Sequence, residues 1–220
     1  MLPSVALYGG LVLMAGGGLA SIRRRTRRRG GIAFASGAAM VAAALVWPAR
    51  QSHVDTKRTH LDDIMPVWQF NEVHGIDIDA PPERVFAAIR AVTAGEITMF
   101  RTFTTIRRLG RDSGEGILNA PPDQPILDVA TRGGFKVLVD DAPREIVIGT
   151  RVARGTVAAM NFRVDVVNGR SRLTTETRVF SRTPRAARAF APYWRLILPG
   201  SDILRRTWLR AIAKRAAISS

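Results

Sequence analysis

The chain has no cysteine, so disulfides, thiol nucleophiles and cysteine metal sites are excluded. Histidine is almost as scarce. His53, His60 and His74 do not sit with carboxylates at ligand spacing, so no metal site is expected, and nothing else in the chain calls for a cofactor. No phosphate-cradling loop is present either: Gly16-Gly17-Gly18 and Gly133-Gly134 lack a downstream lysine and a strand-turn-helix setting. Lysine contributes only 3 of the 33 basic residues, an arginine bias of the kind a GC-rich bacterial genome produces without any polyanionic partner. The most consequential absence is at the start, where the first 54 residues hold no acidic side chain.

That acid-free segment contains two apolar stretches, residues 3–22 and 30–49, each about the length that crosses a bilayer core as helix. Between them lie Arg23, Arg24, Arg25, Arg27, Arg28 and Arg29. One continuous span is excluded, because six arginines at mid-bilayer would cost about 15 to 20 kcal/mol on insertion scales. The simplest reading is a transmembrane helical hairpin, residues 1–50, with its arginine-rich loop 23–29 in the cytoplasm and everything after Arg50 outside it, in the cell membrane. A twin-arginine signal reading fits less well, since Val46-Trp47-Pro48-Ala49 lacks a small-x-small cleavage site, while Trp47 and Arg50 suit a headgroup-level anchor. Apolar spans on both sides of the arginines argue against nucleic acid as the partner. Ala33, Gly37 and Val41, four residues apart, would let another helix approach closely, which leaves room for a membrane-protein partner.

Residues 51–66 are polar and read as a tether to one folded domain, residues 67–220. The domain opens with alternation over 67–79: Trp68, Phe70, Glu72, His74, Ile76 and Ile78 share one face of a half-buried strand. Ala80-Pro81-Pro82-Glu83 then starts a short helix, with proline in its first turn and an acid at its positive end. A second helix is expected over 96–109, followed by a glycine- and proline-rich passage, 110–125. Strands are expected at 126–131, 134–140, 144–152, 157–167 and 170–181. Asn168-Gly169 is the strongest turn signal, because a two-residue type I′ hairpin needs positive φ at both positions. It pairs Val167 with Arg170, and so places Asp165, Arg163 and Asn161 opposite Arg172, Thr174 and Glu176 on an outer charged face. Met160, Phe162, Val164 and Val166 point inward with Leu173, Thr175, Thr177 and Val179, leaving Glu176 and Arg178 as a surface ladder. Residues 184–217 form an amphipathic helix with Phe190, Trp194, Ile197, Leu204, Trp208 and Ile212 on one stripe, kinked or broken at Pro199-Gly200, lying across the sheet.

This order of elements, with Phe70-x-Glu72-x-His74, Ala80-Pro81-Pro82-Glu83-Arg84-Val85-Phe86, Leu173 to Val179 and Tyr193-Trp194 with Ile197-x-Pro199-Gly200-Ser201, resembles the SRPBCC, or START-like, superfamily. The resemblance implies an α+β, helix-grip fold, an antiparallel sheet wrapped on the long C-terminal helix, here behind two transmembrane helices. It also implies an apolar cavity, since members bind lipids, sterols, polyketides or plant hormones and some cyclise or dehydrate polyketides. The expected function is a membrane-anchored binder or carrier of a hydrophobic, lipid-like molecule, with Phe70, Met160, Phe162 and Trp194 burying it and Glu72, His74, Thr175 and Thr177 fixing a polar head. The alternatives are a cyclase or dehydratase-type enzyme using Glu72 and His74 as tunable acid and base, or a scaffold for a membrane protein.

Overall fold

The computed structural model describes residues 2–23, 25–108 and 117–218, which fall into two compact units. The first joins residues 1–49 to 188–199, and the second joins 50–187 to 200–220.

In the first unit, α1 (Leu2–Ile22) and α2 (Arg27–Val46) form an antiparallel hairpin. Both helices are long and apolar enough to cross a membrane. They touch through small residues, with Gly10 and Gly17 of α1 buried against Gly30 and Gly37 of α2. A Cβ on Gly37 would stand 2.5 Å from the Gly10 carbonyl oxygen, and one on Gly17 would stand 2.5 Å from the Phe34 nitrogen, so only glycine permits this approach. Ala33 and Val41 also face α1. The small-residue face proposed for an outside partner is therefore used inside the hairpin. The connecting loop is shorter than 23–29, because Arg27, Arg28 and Arg29 already form the first turn of α2, and Thr26 closes the corner through a 2.6 Å bond from its hydroxyl to the Ala20 carbonyl.

The second unit contains a two-stranded ribbon, β1 (Ser52–His53) with β2 (Val67–Trp68), and a five-stranded antiparallel sheet in the order β3-β7-β6-β5-β4. Its strands are β3 (Phe70–Ile78), β4 (Lys136–Asp141), β5 (Glu145–Ala153), β6 (Thr156–Val167) and β7 (Arg170–Ser181). Burial alternates residue by residue along β3 from Phe70 to His74, as the sequence pattern requires. Asn168 and Gly169 take φ of 51° and 75°, and the β6–β7 register pairs Val167 with Arg170, Asp165 with Arg172 and Asn161 with Glu176, as expected.

Helices α4 (Pro82–Ala91), α5 (Phe100–Arg108) and α6 (Ile126–Arg132) follow β3 before the sheet resumes. The helix expected over 96–109 is split: a 3-10 turn, Ala94–Glu96, closed by a Thr93–Glu96 capping box, precedes α5. Leu109 and the first part of the glycine- and proline-rich passage, 110–116, lie outside the described residues. The strand expected at 126–131 is a helix. Ile126, Leu127, Val129 and Ala130 are buried with Asp128 exposed, a spacing that helix satisfies and strand does not.

Residues 51–66 do not form a tether. They carry β1 and α3 (His60–Ile64), whose Leu61 is fully buried on Val147 and Ala159 on the outer face of the sheet. The N–H groups of His60 and Leu61 donate to the buried Glu145 carboxylate at 2.8 and 3.3 Å, where a negative charge meets the positive helix end. Covering this face also removes Arg178 from the surface. Arg178 bonds to Asp62 at 2.7 Å and to Glu176 at 2.7 Å, and lies over the Trp68 ring, so the expected exposed ladder is a buried ion cluster.

The last helix, α7 (Pro184–Ile218), is helical throughout, with Pro192 and Pro199 inside it. Its residues 200–218 pack on the inner face of the sheet. Trp208, Leu209, Ala211, Ile212 and Ala216 join Ile148, Met160, Phe162, Val164 and Leu173 in one core. The arrangement is the α+β helix-grip fold.

Candidate functional site

Because β3 alternates, Glu72 and His74 share its inner face, and antiparallel pairing sets them opposite Thr177 and Thr175 of β7. Their side chains are buried and bonded to each other, with His74 Nε2 2.9 Å from Glu72 Oε1. The other carboxylate oxygen of Glu72 accepts a 2.6 Å bond from the Ser201 hydroxyl of α7. The next residue, Asp202, brings Oδ1 to 3.8 Å from His74 Nε2 and pairs through both oxygens with Arg206, one helical turn on. That pairing, together with the nearby imidazole, holds the Asp202 carboxyl below the usual carboxylate range against the opposing effect of burial. The result is a polar cluster of four side chains, buried at Glu72 and His74 and partly exposed at Ser201 and Asp202.

Glu72, His74 and Asp202 offer one donor atom each within 4.8 Å of one another. The expectation that no histidine meets carboxylates at ligand spacing fails for His74, because Asp202 is far away in sequence and arrives on α7. These are the residues that could hold a divalent cation, although each donor is already engaged by a neighbouring side chain. The arrangement is not a nucleophile triad. Ser201 donates to the Glu72 carboxylate and makes no bond to His74 among the described contacts, so no serine–histidine pair is formed.

The remaining candidates divide. Phe70, Met160, Phe162 and Thr175 are buried on the inner side and Thr177 is half-buried, so these five share the sheet's inner face with Glu72 and His74. Thr175 turns its hydroxyl to the Asn161 carbonyl at 2.6 Å, which satisfies it within the sheet. Trp194 belongs to the hairpin unit, where its ring stands 6.3 Å from that of Phe190. Trp208 takes the covering position, with its ring 5.1 Å from that of Phe162. Both tryptophans lie on one helical stripe, so periodicity could not choose between them. Ser201, Asp202 and Trp208 were not among the expected site residues, although Trp208 lies on the apolar stripe and Ser201-Asp202 interrupts it.

No protein-family model matches the chain, and no curated protein matches it. Solved structures similar to it include a protein from Mesorhizobium loti, at 12% identity over 69% of this chain and 99% of that one, with a TM-score of 0.38. Ara h 8.0201 is 9% identical over 67% and 97% of the two chains, with a TM-score of 0.36. The di-domain ARO/CYC BexL from the BE-7585A biosynthetic pathway is 16% identical over 93% of this chain and 62% of its own, with a TM-score of 0.39. Likenesses this distant assign no function, and the helix-grip fold stands on the strand order and C-terminal helix of the chain itself.

Proposed function

We propose that the protein is a membrane-anchored binder or carrier of a hydrophobic, lipid-like molecule bearing an oxygen acceptor, held between the inner face of the sheet and residues 200–218 of α7. The observation that carries this reading is the indole N–H of Trp208. It is buried in the apolar interior beside Phe162 and has no acceptor among the described residues. An unsatisfied buried donor costs about 1 to 3 kcal/mol, and a ligand oxygen placed there recovers it. Seating the ligand parts the Phe162–Trp208 contact, a cost of about 0.5 to 1.5 kcal/mol beyond area, which the burial of an acyl or ring system offsets at about 25 cal/mol per Å². Phe70 and Met160 supply further apolar surface, and Glu72, His74, Thr177 and Ser201 supply polar groups for the head.

Trp208→Phe tests the reading, since it removes the N–H and keeps most of the ring. Affinity for a fluorescent fatty-acid or sterol-ketone probe should fall roughly 2- to 10-fold, the worth of one neutral hydrogen bond, while stability holds or rises. Unchanged affinity would remove Trp208 from the ligand. Mass spectrometry of the detergent-purified chain should show a hydrophobic compound at near-stoichiometric amount. A second reading, acid-base catalysis by a cyclase or dehydratase type of enzyme, is favoured by the buried 2.9 Å Glu72–His74 bond. Glu72→Gln separates the two: a binder loses at most about 1 to 3 kcal/mol of affinity, whereas a catalyst loses about 10² to 10⁴ in rate.

The hairpin supplies the anchor in this proposal, with its arginines cytoplasmic and the sheet unit outside. A reporter fused after Ser220 should then be active only on the extracytoplasmic side. Cytoplasmic activity of the fusion would reverse the topology.

A further inference from the structure

We propose that residues 188–199 of α7 are a third membrane element, lying at headgroup level at the end of the hairpin remote from its arginine loop. The inference rests on the hairpin being a membrane anchor and adds a segment that pattern reading assigned to the sheet. Four hydrogen bonds tie this segment to the hairpin within one compact unit. The Tyr8 hydroxyl of α1 donates to the Leu196 carbonyl at 2.5 Å. The Arg195 guanidinium donates to the carbonyls of Ala44 and Leu45 at 2.6 and 3.0 Å and to that of Trp47 at 2.5 Å. Tyr8 lies in the first half of α1 and Ala44 to Trp47 end α2, so every tie is made at the same end.

The chemistry fits a bilayer boundary. The last carbonyls of a helix have no partner of their own, and in a membrane each must find one. Arg195 supplies it to three of them and is buried in doing so, which spends the one charge between Phe190 and Pro199 on the protein itself. Beyond Arg188, which is exposed at its start, what the segment turns outward is apolar and aromatic. Tyr193 is 40% and Leu196 is 52% exposed, and at the end of α2 Val46 is 80% and Trp47 is 47% exposed. Tyrosine and tryptophan beside aliphatic surface are the composition of the interfacial belt. The occupant is lipid rather than a protein, because the exposed surface continues along the hairpin through Val5, Val12 and Leu19, a length of helix that a bilayer covers all round.

The absence of native cysteine makes the test clean. Single-cysteine variants Leu196→Cys, Val12→Cys and Val73→Cys of the full chain, each carrying an NBD fluorophore, are placed in phosphatidylcholine–phosphatidylglycerol nanodiscs with bromines shallow or deep on the acyl chains. Val12 probes α1, and Val73 is an exposed position on β3. NBD at 196 should emit to the blue of NBD at 73 and be quenched several-fold more, with shallow bromines more effective than deep ones. Water-like emission and no quenching at 196, with quenching at 12, would overturn the inference and leave the anchor intact. Stronger quenching at 196 by deep bromines would overturn the headgroup-level placement. No quenching at either 196 or 12 would sink both the inference and the membrane anchor on which it rests.

Discussion

Arg178→Leu is expected to destabilise the sheet unit by about 3 to 5 kcal/mol, the cost of leaving a buried ionic cluster without its cation. Arg178 reaches Asp62 at 2.7 Å, Glu176 at 2.7 and 3.0 Å and the Met65 carbonyl at 3.0 Å, beneath the cover of α3. Without it, two carboxylates stay behind with no counterion. The loss should be read from urea denaturation of the full chain in detergent, followed by the circular dichroism of the sheet. A change below about 1 kcal/mol would mean that the cluster is solvated like a surface pair. Acid should expose the same interaction. Burial pushes the Asp62 carboxyl up, but the Arg58 backbone N–H, Arg178 and Thr59 together hold it below the usual carboxylate range. A folded value below the unfolded one contributes stability that is complete above the unfolded value, about 3.9, and is lost as pH falls through the folded value. Glu96, which pairs with Arg215 and the Thr93 N–H, shifts in the same direction. The wild type should therefore begin to lose stability as pH falls through about 4, and in Arg178→Leu, where Asp62 keeps less of its depression, the acid-dependent loss should be smaller. An identical acid limb in both would show that Asp62 does not draw on Arg178.

Phe162→Ala is expected to cost about 3 to 5 kcal/mol in the same assay. Phe162 is among the largest fully buried side chains and stacks at a tilt on Trp208, so truncation removes both the burial and the aromatic pair. The cavity left behind is apolar on the sheet side, where Met160, Val164 and Leu173 stand. Such a space stays dry and accepts small apolar molecules. In the truncated protein, an added hydrophobic ligand should therefore restore part of the lost melting temperature. No restoration, at ligand concentrations that saturate the wild type, would place the binding region elsewhere.

Wherever one local physical rule acts alone, these elements are legible in the residues themselves. The two apolar runs need nothing beyond their length to be read as helices that can cross a membrane, and six arginines must separate them. Alternation along Phe70 to His74 faces Glu72 and His74 inward before any partner strand is known, and Asn168-Gly169 sets the whole β6–β7 register from two dihedral preferences. Where two rules compete, the sequence is silent. In the short run Ile126-Leu127-Asp128-Val129-Ala130 the apolar spacing suits helix, but five residues are too few for periodicity to decide before the neighbours set which side chains are buried.

Long-range encounters decide the rest. Arg178 looks like a solvent-facing charge from its place on β7, and becomes interior because α3, about 115 residues earlier, folds over that face. Asp202 reaches His74 and Trp208 meets Phe162 because residues 200–218 of α7 pack on the inner face of the sheet. Periodicity gives the stripe on a helix but carries no information about which length of that stripe meets the sheet and which meets the hairpin. Side-chain direction follows from the local backbone, and so it can be read from sequence. Partner choice follows from the burial free energy of the whole chain, and only the tertiary structure contains it.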